Sequence, residues 1–159
     1  MSFEKANADL EAKGLGDHII VLNESSATVA EAAHALGVEP AMIAKTLSVL
    51  QGETPVLIVT EGTARLDNHK YKSLFHIKAK MVLTDRVEEL VGHAPGGVCP
   101  FAVRIGVTVY LDESLRRFEY VYPACGSSNS AVRLTPAELE CASGCVEWVD
   151  VCTLPEMAQ

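Results

Sequence analysis

Lys45 is the residue whose surroundings in this chain most suggest chemistry. If residues 43–49 run extended, alternation puts its side chain on the same face as Ile43, Leu47 and Val49. An unpaired ammonium is costly to bury. Lys45 therefore either serves a ligand there or runs its stem over apolar surface while its head reaches water. Two small-residue stretches offer complementary groups. In Gly96-Gly97-Val98-Cys99-Pro100-Phe101 the paired glycines let backbone approach a ligand and aim N–H groups at an oxygen, or simply turn the chain between a helix and a strand. Ala124-Cys125-Gly126-Ser127-Ser128-Asn129-Ser130 is rich in small donors and acceptors, and reads equally as a ligand-contacting wall or a polar loop.

Several other chemistries lack their residues. The chain has no phosphate-cradling glycine loop followed by Lys-Ser/Thr, no dinucleotide fingerprint and no Gly-x-Ser-x-Gly turn. Cys141 and Cys145 with Cys152 make a poor zinc set, because no histidine stands near them. Cys99 is a candidate nucleophile by its place among glycines, but the sequence implies no histidine partner for it. Five cysteines, an odd number without a secretory signal, read as reduced thiols. No apolar stretch reaches the ~20 residues a membrane helix needs. With a polar start at Met1-Ser2-Phe3-Glu4-Lys5, this predicts a cytoplasmic protein with no membrane partner.

A formal net charge of −8 argues against a stable, non-specific binder of DNA or RNA. The charge is uneven, however. Arg65, Lys70, Lys72, Lys78, Lys80 and Arg86, with His69 and His76, face only Asp67 and Asp85 in the same segment. That segment reads either as a local phosphate-contacting surface or as a solvated lysine-rich helix and strand.

The elements that must position these residues follow from periodicity and caps. Residues 2–13 read as a helix closed by Gly14, and 18–22 as a strand. Thr28 and Glu31 form a capping box for a helix that buries Val29, Ala32, Ala33 and Leu36, leaves His34 facing solvent, and ends at Gly37. Pro40 suits the first position of a short helix ending near Ala44. Residues 45–51 and 55–60 read as a hairpin across Gly52-Glu53-Thr54, the second strand apolar on both faces and so central. Asp67 can cap a helix to about Phe75, and Thr84 or Asp85 another to Val91. Later strands are expected at 107–111, 120–123, up to Leu134 and 146–151, with a helix opened by Thr135-Pro136. Irregular interleaving of this kind predicts one α/β domain over 1–159, a mixed sheet with helices packed around it.

Five motifs in order are more specific than any one: Thr28-Val29-Ala30-Glu31-Ala32-Ala33, Ile43-Ala44-Lys45-Thr46-Leu47, Arg65-Leu66-Asp67, the Gly96–Phe101 stretch and the Ala124–Ser130 stretch. Together, over about residues 3–151, they resemble the YbaK/EbsC family, the prolyl-tRNA-synthetase-associated editing domain. The resemblance implies a mixed sheet, partly closed like a barrel and flanked by helices. It also implies a trans-acting hydrolase that removes a small wrong amino acid, such as cysteine or alanine, from tRNA, most often tRNA for proline. Lys45 would be the functional lysine, Gly96 and Gly97 would supply backbone contacts at the aminoacyl ester, and the Gly126 loop would form the opposite wall.

On that resemblance the expected catalytic residues are Lys45, Gly96 and Gly97. The expected substrate contacts are Thr46, Asp67, Val98, Pro100, Phe101, Gly126, Ser127, Ser128 and Asn129, with Lys70, Lys72, Lys78 and Lys80 meeting the tRNA. The partners would be the acceptor end of an aminoacyl-tRNA and prolyl-tRNA synthetase. An aminoacyl ester is already activated, so hydrolysis needs a positioned water and donors for the oxyanion, with neither metal nor cofactor. The sequence departs from both branches of the family: Ala131 stands where the cysteine-removing branch has an aspartate, and Thr46 where the alanine-removing branch commonly has an asparagine. A non-catalytic module that uses the same pocket to recognise aminoacyl-adenosine or to regulate translation, and a thiol hydrolase built on Cys99, are the competing readings.

Overall fold

The structure is a computed structural model that describes residues 2–155. The chain runs α1 (Ser2–Ala12), β1 (Ile19–Val21), α2 (Val29–Leu36), β2 (Ile43–Gln51), β3 (Thr54–Glu61), β4 (Arg65–Leu66), α3 (Asn68–Phe75) and β5 (Lys80–Met81). It continues through α4 (Val87–Val91), β6 (Thr108–Asp112), β7 (Tyr122–Pro123), β8 (Ser130–Val132), α5 (Pro136–Ser143), β9 (Glu147–Val149) and β10 (Cys152–Thr153).

The frame is the β2–β3 hairpin, antiparallel from Ala44↔Glu61 to Gln51↔Thr54, closed by a turn in which Gly52 takes a left-handed φ of 67°. Parallel strands β6 and β9 extend the sheet beyond β3. As its apolar run predicts, β3 is buried on both faces. Leu57 and Val59 join a core with Phe101, Leu111, Leu134 and Leu139, while Val56 and Ile58 join another with Tyr71, Val149 and Val151. Burying each such side chain contributes about 1.5–3 kcal/mol, which makes this strand the anchor of the sheet.

The other edge of β2 is shared. Strand β7 pairs with it in parallel at Ile43 and Ala44, and β5 pairs antiparallel at Val49 and Leu50. Residues 45–47 lie in the gap between these short partners. The expected barrel-like closure is absent. The sheet order β5-β2-β3-β6-β9 ends at β9, and β1–β8 and β4–β10 form separate two-stranded ribbons. The sheet stays open because β5 and β7 are only two residues long and, among the described residues, no strand joins β9 to them.

Caps set the helices. Thr28 accepts the Glu31 N–H (3.1 Å), but Glu31 answers the Thr28 hydroxyl rather than its backbone N–H, so this is half a capping box. The full box is at Thr135–Glu138. Asp67 caps α3 as expected. Neither Thr84 nor Asp85 caps α4: residues Thr84–Arg86 tighten into a 3₁₀ turn first. Pro40–Met42 is likewise a single 3₁₀ turn, so β2 begins earlier than the predicted helix end at Ala44 allowed. Among the described residues no helix is long and apolar enough to cross a membrane.

Candidate functional site

A cleft of about 180 Å³ opens at the gap in the β2 edge. That is about six times the ~30 Å³ one water occupies in the liquid, room for a small organic group. Its floor is the start of β2, from Ile43 to Thr46. One side is the approach to α2 (Ser26, Ala27, Thr28) with Val29 and Ala32. Gly96 and Val98 form a second side, and Tyr122, Ala124, Ser130 and Ala131 a third.

Lys45 is half-buried here. Its Nζ donates to the Ala64 carbonyl at 2.5 Å. Burial pushes its pKa below the ordinary 10.5; Cys152 and Glu61 oppose that shift, and Arg65 adds to it. The Ala64 carbonyl belongs to a turn that Glu61 organises. The Glu61 carboxylate is fully buried, accepts from the Thr63 N–H, from Thr63 Oγ1 (2.6 Å) and from Arg117 (2.5 Å), and the Glu61 N–H donates to Ser114 Oγ (3.2 Å). Gly62 is required in this turn, since a Cβ there would sit 2.1 Å from the Pro40 carbonyl oxygen. Glu61 and Arg117 were not anticipated; a carboxylate directly after an apolar β-run was the available signal.

The two small-residue loops meet behind the cleft, and they meet because they lack side chains. A Cβ on Gly97 would lie 2.7 Å from the backbone of Gly126 and Ser127, and one on Gly126 would lie 2.5 Å from the Ser2 carbonyl oxygen. Gly97 thus serves loop-to-loop contact rather than ligand approach, and its N–H is already donated to the Ala94 carbonyl (3.0 Å). Gly96 does border the cleft, at φ 91° and with room for Ala27 only because it has no Cβ. The N–H groups of Gly96 and Val98 have no hydrogen-bond partner among the described residues. Thr46 Oγ1 is shielded from solvent and also has none.

Other predicted contacts are placed elsewhere. Phe101 and Cys99 are core residues, and Pro100 is buried beside them. Asp67 is occupied as the α3 cap and by Thr153 Oγ1 (2.6 Å), the bond that chiefly lowers its pKa. Ser127, Ser128 and Asn129 stand behind the wall. Ser127 Oγ bonds Ser130 Oγ (2.6 Å), the Ser128 carbonyl accepts from Ser26 N–H (2.6 Å), and the Asn129 carbonyl accepts from Leu22 N–H (2.7 Å). Ser26, Ala27 and Tyr122 line the cleft without having been singled out for it, and Ser130 lines it at the end of the Ala124–Ser130 stretch. For Ser26 and Ala27 the signal was absent because a small residue near a turn looks the same whether it faces a ligand or solvent, and Tyr122 lay in a run that read only as a strand.

Cys99 does have a histidine partner: its Sγ lies 3.5 Å from Nε2 of fully buried His93. It is not an activated nucleophile, because burial pushes its pKa far up and burial also lowers that of His93. The side chains lining the cleft include no carboxylate, imidazole or thiol, so they offer no metal-ligand set, and the titratable groups among them are Lys45 and Tyr122. Cys141, Cys145 and Cys152 do not converge, and no group of three potential metal ligands forms among the described residues.

The model of the aminoacyl-tRNA editing domain family matches residues 23–141, a span that includes every residue lining the cleft. This chain belongs to that family. Its relatives include the uncharacterized protein YwhH of Bacillus subtilis (strain 168), 50% identical over 129 residues, 80% of this chain and 82% of that protein. Among solved structures, a candidate trans-editing enzyme for prolyl tRNA synthetase is 31% identical and superposes with a TM-score of 0.85 over 96% of this chain and 97% of its own. The hypothetical protein APE2540 is 32% identical, with a TM-score of 0.84 over 94% of this chain and 99% of its own. These structures share the mixed α/β architecture of this editing domain.

Proposed function

We propose that this chain is a trans-acting aminoacyl-tRNA deacylase. It works as a single domain in the cytoplasm, hydrolysing the ester of a tRNA for proline charged with a small wrong amino acid, with prolyl-tRNA synthetase as a partner. The observation that supports this reading is that half-buried Lys45, its Nζ held by the Ala64 carbonyl, lines a small cleft together with Gly96 and Val98, whose N–H groups have no hydrogen-bond partner among the described residues. An ester carbonyl seated there would find donors for its developing negative charge. The lining has no carboxylate, imidazole or thiol and Lys45 acts as the ammonium, so the attacking water is activated by the free hydroxyl of the terminal ribose, and the protein contributes position and charge. Gly97, whose N–H is engaged, acts only by holding the two loops together.

Methyl groups of Ala27, Ala32, Ala44 and Ala131 limit the cleft to a small aminoacyl side chain. Thr46 and Ala131, the positions that depart from the alanine- and cysteine-removing branches, both line it. Selectivity in such a cleft is worth about 1–3 kcal/mol per methylene. Lys72 and Lys78, with Asn68 and His69, surround a recess beside α3 and supply phosphate contacts to the acceptor stem.

The test is a panel of mischarged tRNAs, with wild type and Lys45→Ala. Release of free amino acid by the wild type, abolished in the variant, is expected. The lack of a carboxylate or imidazole in the cleft also suits a non-catalytic aminoacyl-tRNA-binding module. Tight binding without release across the whole panel would replace the deacylase with that module.

A further inference from the structure

Lys45 does not hold its position by itself. In an extended strand a lysine has four rotatable bonds and loses much conformational entropy when its head is fixed. What fixes it is the Ala64 carbonyl, 2.5 Å from Nζ, at the end of the turn 61–64. That turn is closed by the Ala64 N–H donating to the Glu61 carbonyl (3.2 Å), and more tightly by the Glu61 side chain curling back to the N–H and hydroxyl of Thr63. The carboxylate doing this is completely buried, and Arg117, reaching over from the 3₁₀ turn Glu113–Arg117, is the cation that matches it.

We propose that the buried Glu61–Arg117 pair is a positioning device for Lys45: it fixes the turn whose Ala64 carbonyl receives the ammonium, and it keeps that ammonium charged beside the cleft. Glu61 is a positioning residue, since it does not line the cleft. The groups that face Lys45 are Glu61 at the end of β3, Arg65 on β4 and Cys152 on β10. Burial, the largest influence, drives the ammonium toward neutrality and Arg65 reinforces it. Cys152 could oppose them only as a thiolate, and its own burial pushes its pKa far up, so it is neutral near pH 7. Glu61 is then the one anion among these groups. Its removal deprives Lys45 of both an oriented acceptor and an opposing charge.

The proposal rests on the deacylase reading for its catalytic half alone. Its test therefore has two readouts on the full chain: the pH dependence of acetic anhydride labelling of the Lys45 amine, followed by mass spectrometry without tRNA, and kcat and KM for deacylation. In Glu61→Gln the labelling midpoint of Lys45 should fall by about one pH unit, with that of exposed Lys72 unchanged as the internal control. Deacylation should lose about tenfold in kcat with KM within about twofold, the pattern of a group mispositioned in the transition state. Glu61→Asp, which retains the charge, should restore the midpoint and part of kcat. If Glu61→Gln does not fold, Thr63→Val removes one bond to the same carboxylate and should move both readouts the same way by less. A folded variant whose midpoint or whose kcat matches the wild type overturns the proposal. If the wild type releases no amino acid from any tRNA, the deacylase reading falls and takes the kcat half with it. An unchanged midpoint would still overturn the proposal.

Discussion

Lys45 and the lysines around α3 carry the same ammonium into opposite surroundings. Lys45 is half-buried, fixed by one carbonyl, and pushed toward a lower pKa by burial. Lys72, Lys78 and Lys80 are exposed, while Lys70 is drawn to Asp150 (3.1 Å) and the Cys152 carbonyl (2.8 Å). A fixed charge in a cleft can act on one bond of a ligand, because low polarity around it strengthens its field and its direction is set. Mobile charges in water act together, as a field that salt screens. The chain's net charge of −8 hides this division of labour.

The contrast breaks most sharply at Lys45 itself. Lys45→Ala should cut kcat for deacylation about 100-fold or more while leaving its salt dependence untouched; a defect confined to KM would make Lys45 a mere binding group. Gly97→Ala tests whether the cleft needs its two loops in contact. The added Cβ meets Gly126 and Ser127 backbone at 2.7 Å. Overpacking of about 1–3 kcal/mol should appear as a lower Tm, with kcat reduced about tenfold. Wild-type Tm and kcat there would show that the loops part freely.

On the other side of the comparison, Lys72→Glu with Lys78→Glu should raise KM, keep kcat, and flatten the slope of log(kcat/KM) against log salt by about one for each phosphate no longer neutralised. A slope equal to that of the wild type would take these lysines out of tRNA binding. Smallest of all, Thr135→Ala removes the full capping box of α5 and should cost about 1 kcal/mol in urea unfolding, with activity per folded molecule unchanged. This marks the baseline for a purely structural change.

Burial of Lys45 also has a signature in stability. Its folded pKa lies below 10.5, so between that value and 10.5 the unfolded chain binds more protons than the folded one. Stability should accordingly gain from Lys45 as pH rises through this window. Lys45→Met should lose that gain, measurable by urea titration on either side of it.

Alternation alone put Lys45 on an apolar face, and the β2–β3 hairpin, the Asp67 cap and the Thr135 cap were equally legible, because each rests on residues within a few positions of one another. Features that depend on distant partners were not. The β4–β10 ribbon joins Leu66 to Cys152 through two-residue strands too short for any periodic pattern. Gly97 was legible as a glycine that something must approach closely, but the approaching group, the Gly126 backbone, lies in another loop. Phe101 looked like a ligand contact from its loop and is core, since Leu57, Leu111 and Leu134, the core side chains it joins, come from other parts of the chain. Asp67 belonged to a motif and turned out to be a helix cap, a role visible in the same residues.

The short strand β7 beside the gap in β2 gives the pocket an adjustable margin. The floor, Ile43 to Thr46, begins where β7 pairs and stops before Val49, where β5 pairs. Extending β7 by a pair of residues that hydrogen-bond onward along β2 would cover the open backbone edge at Lys45 and Thr46, while β5, which pairs only at Val49 and Leu50, would stay as it is. The size of the cleft can therefore be retuned at a sheet margin, by moving the point where β7 stops pairing with β2.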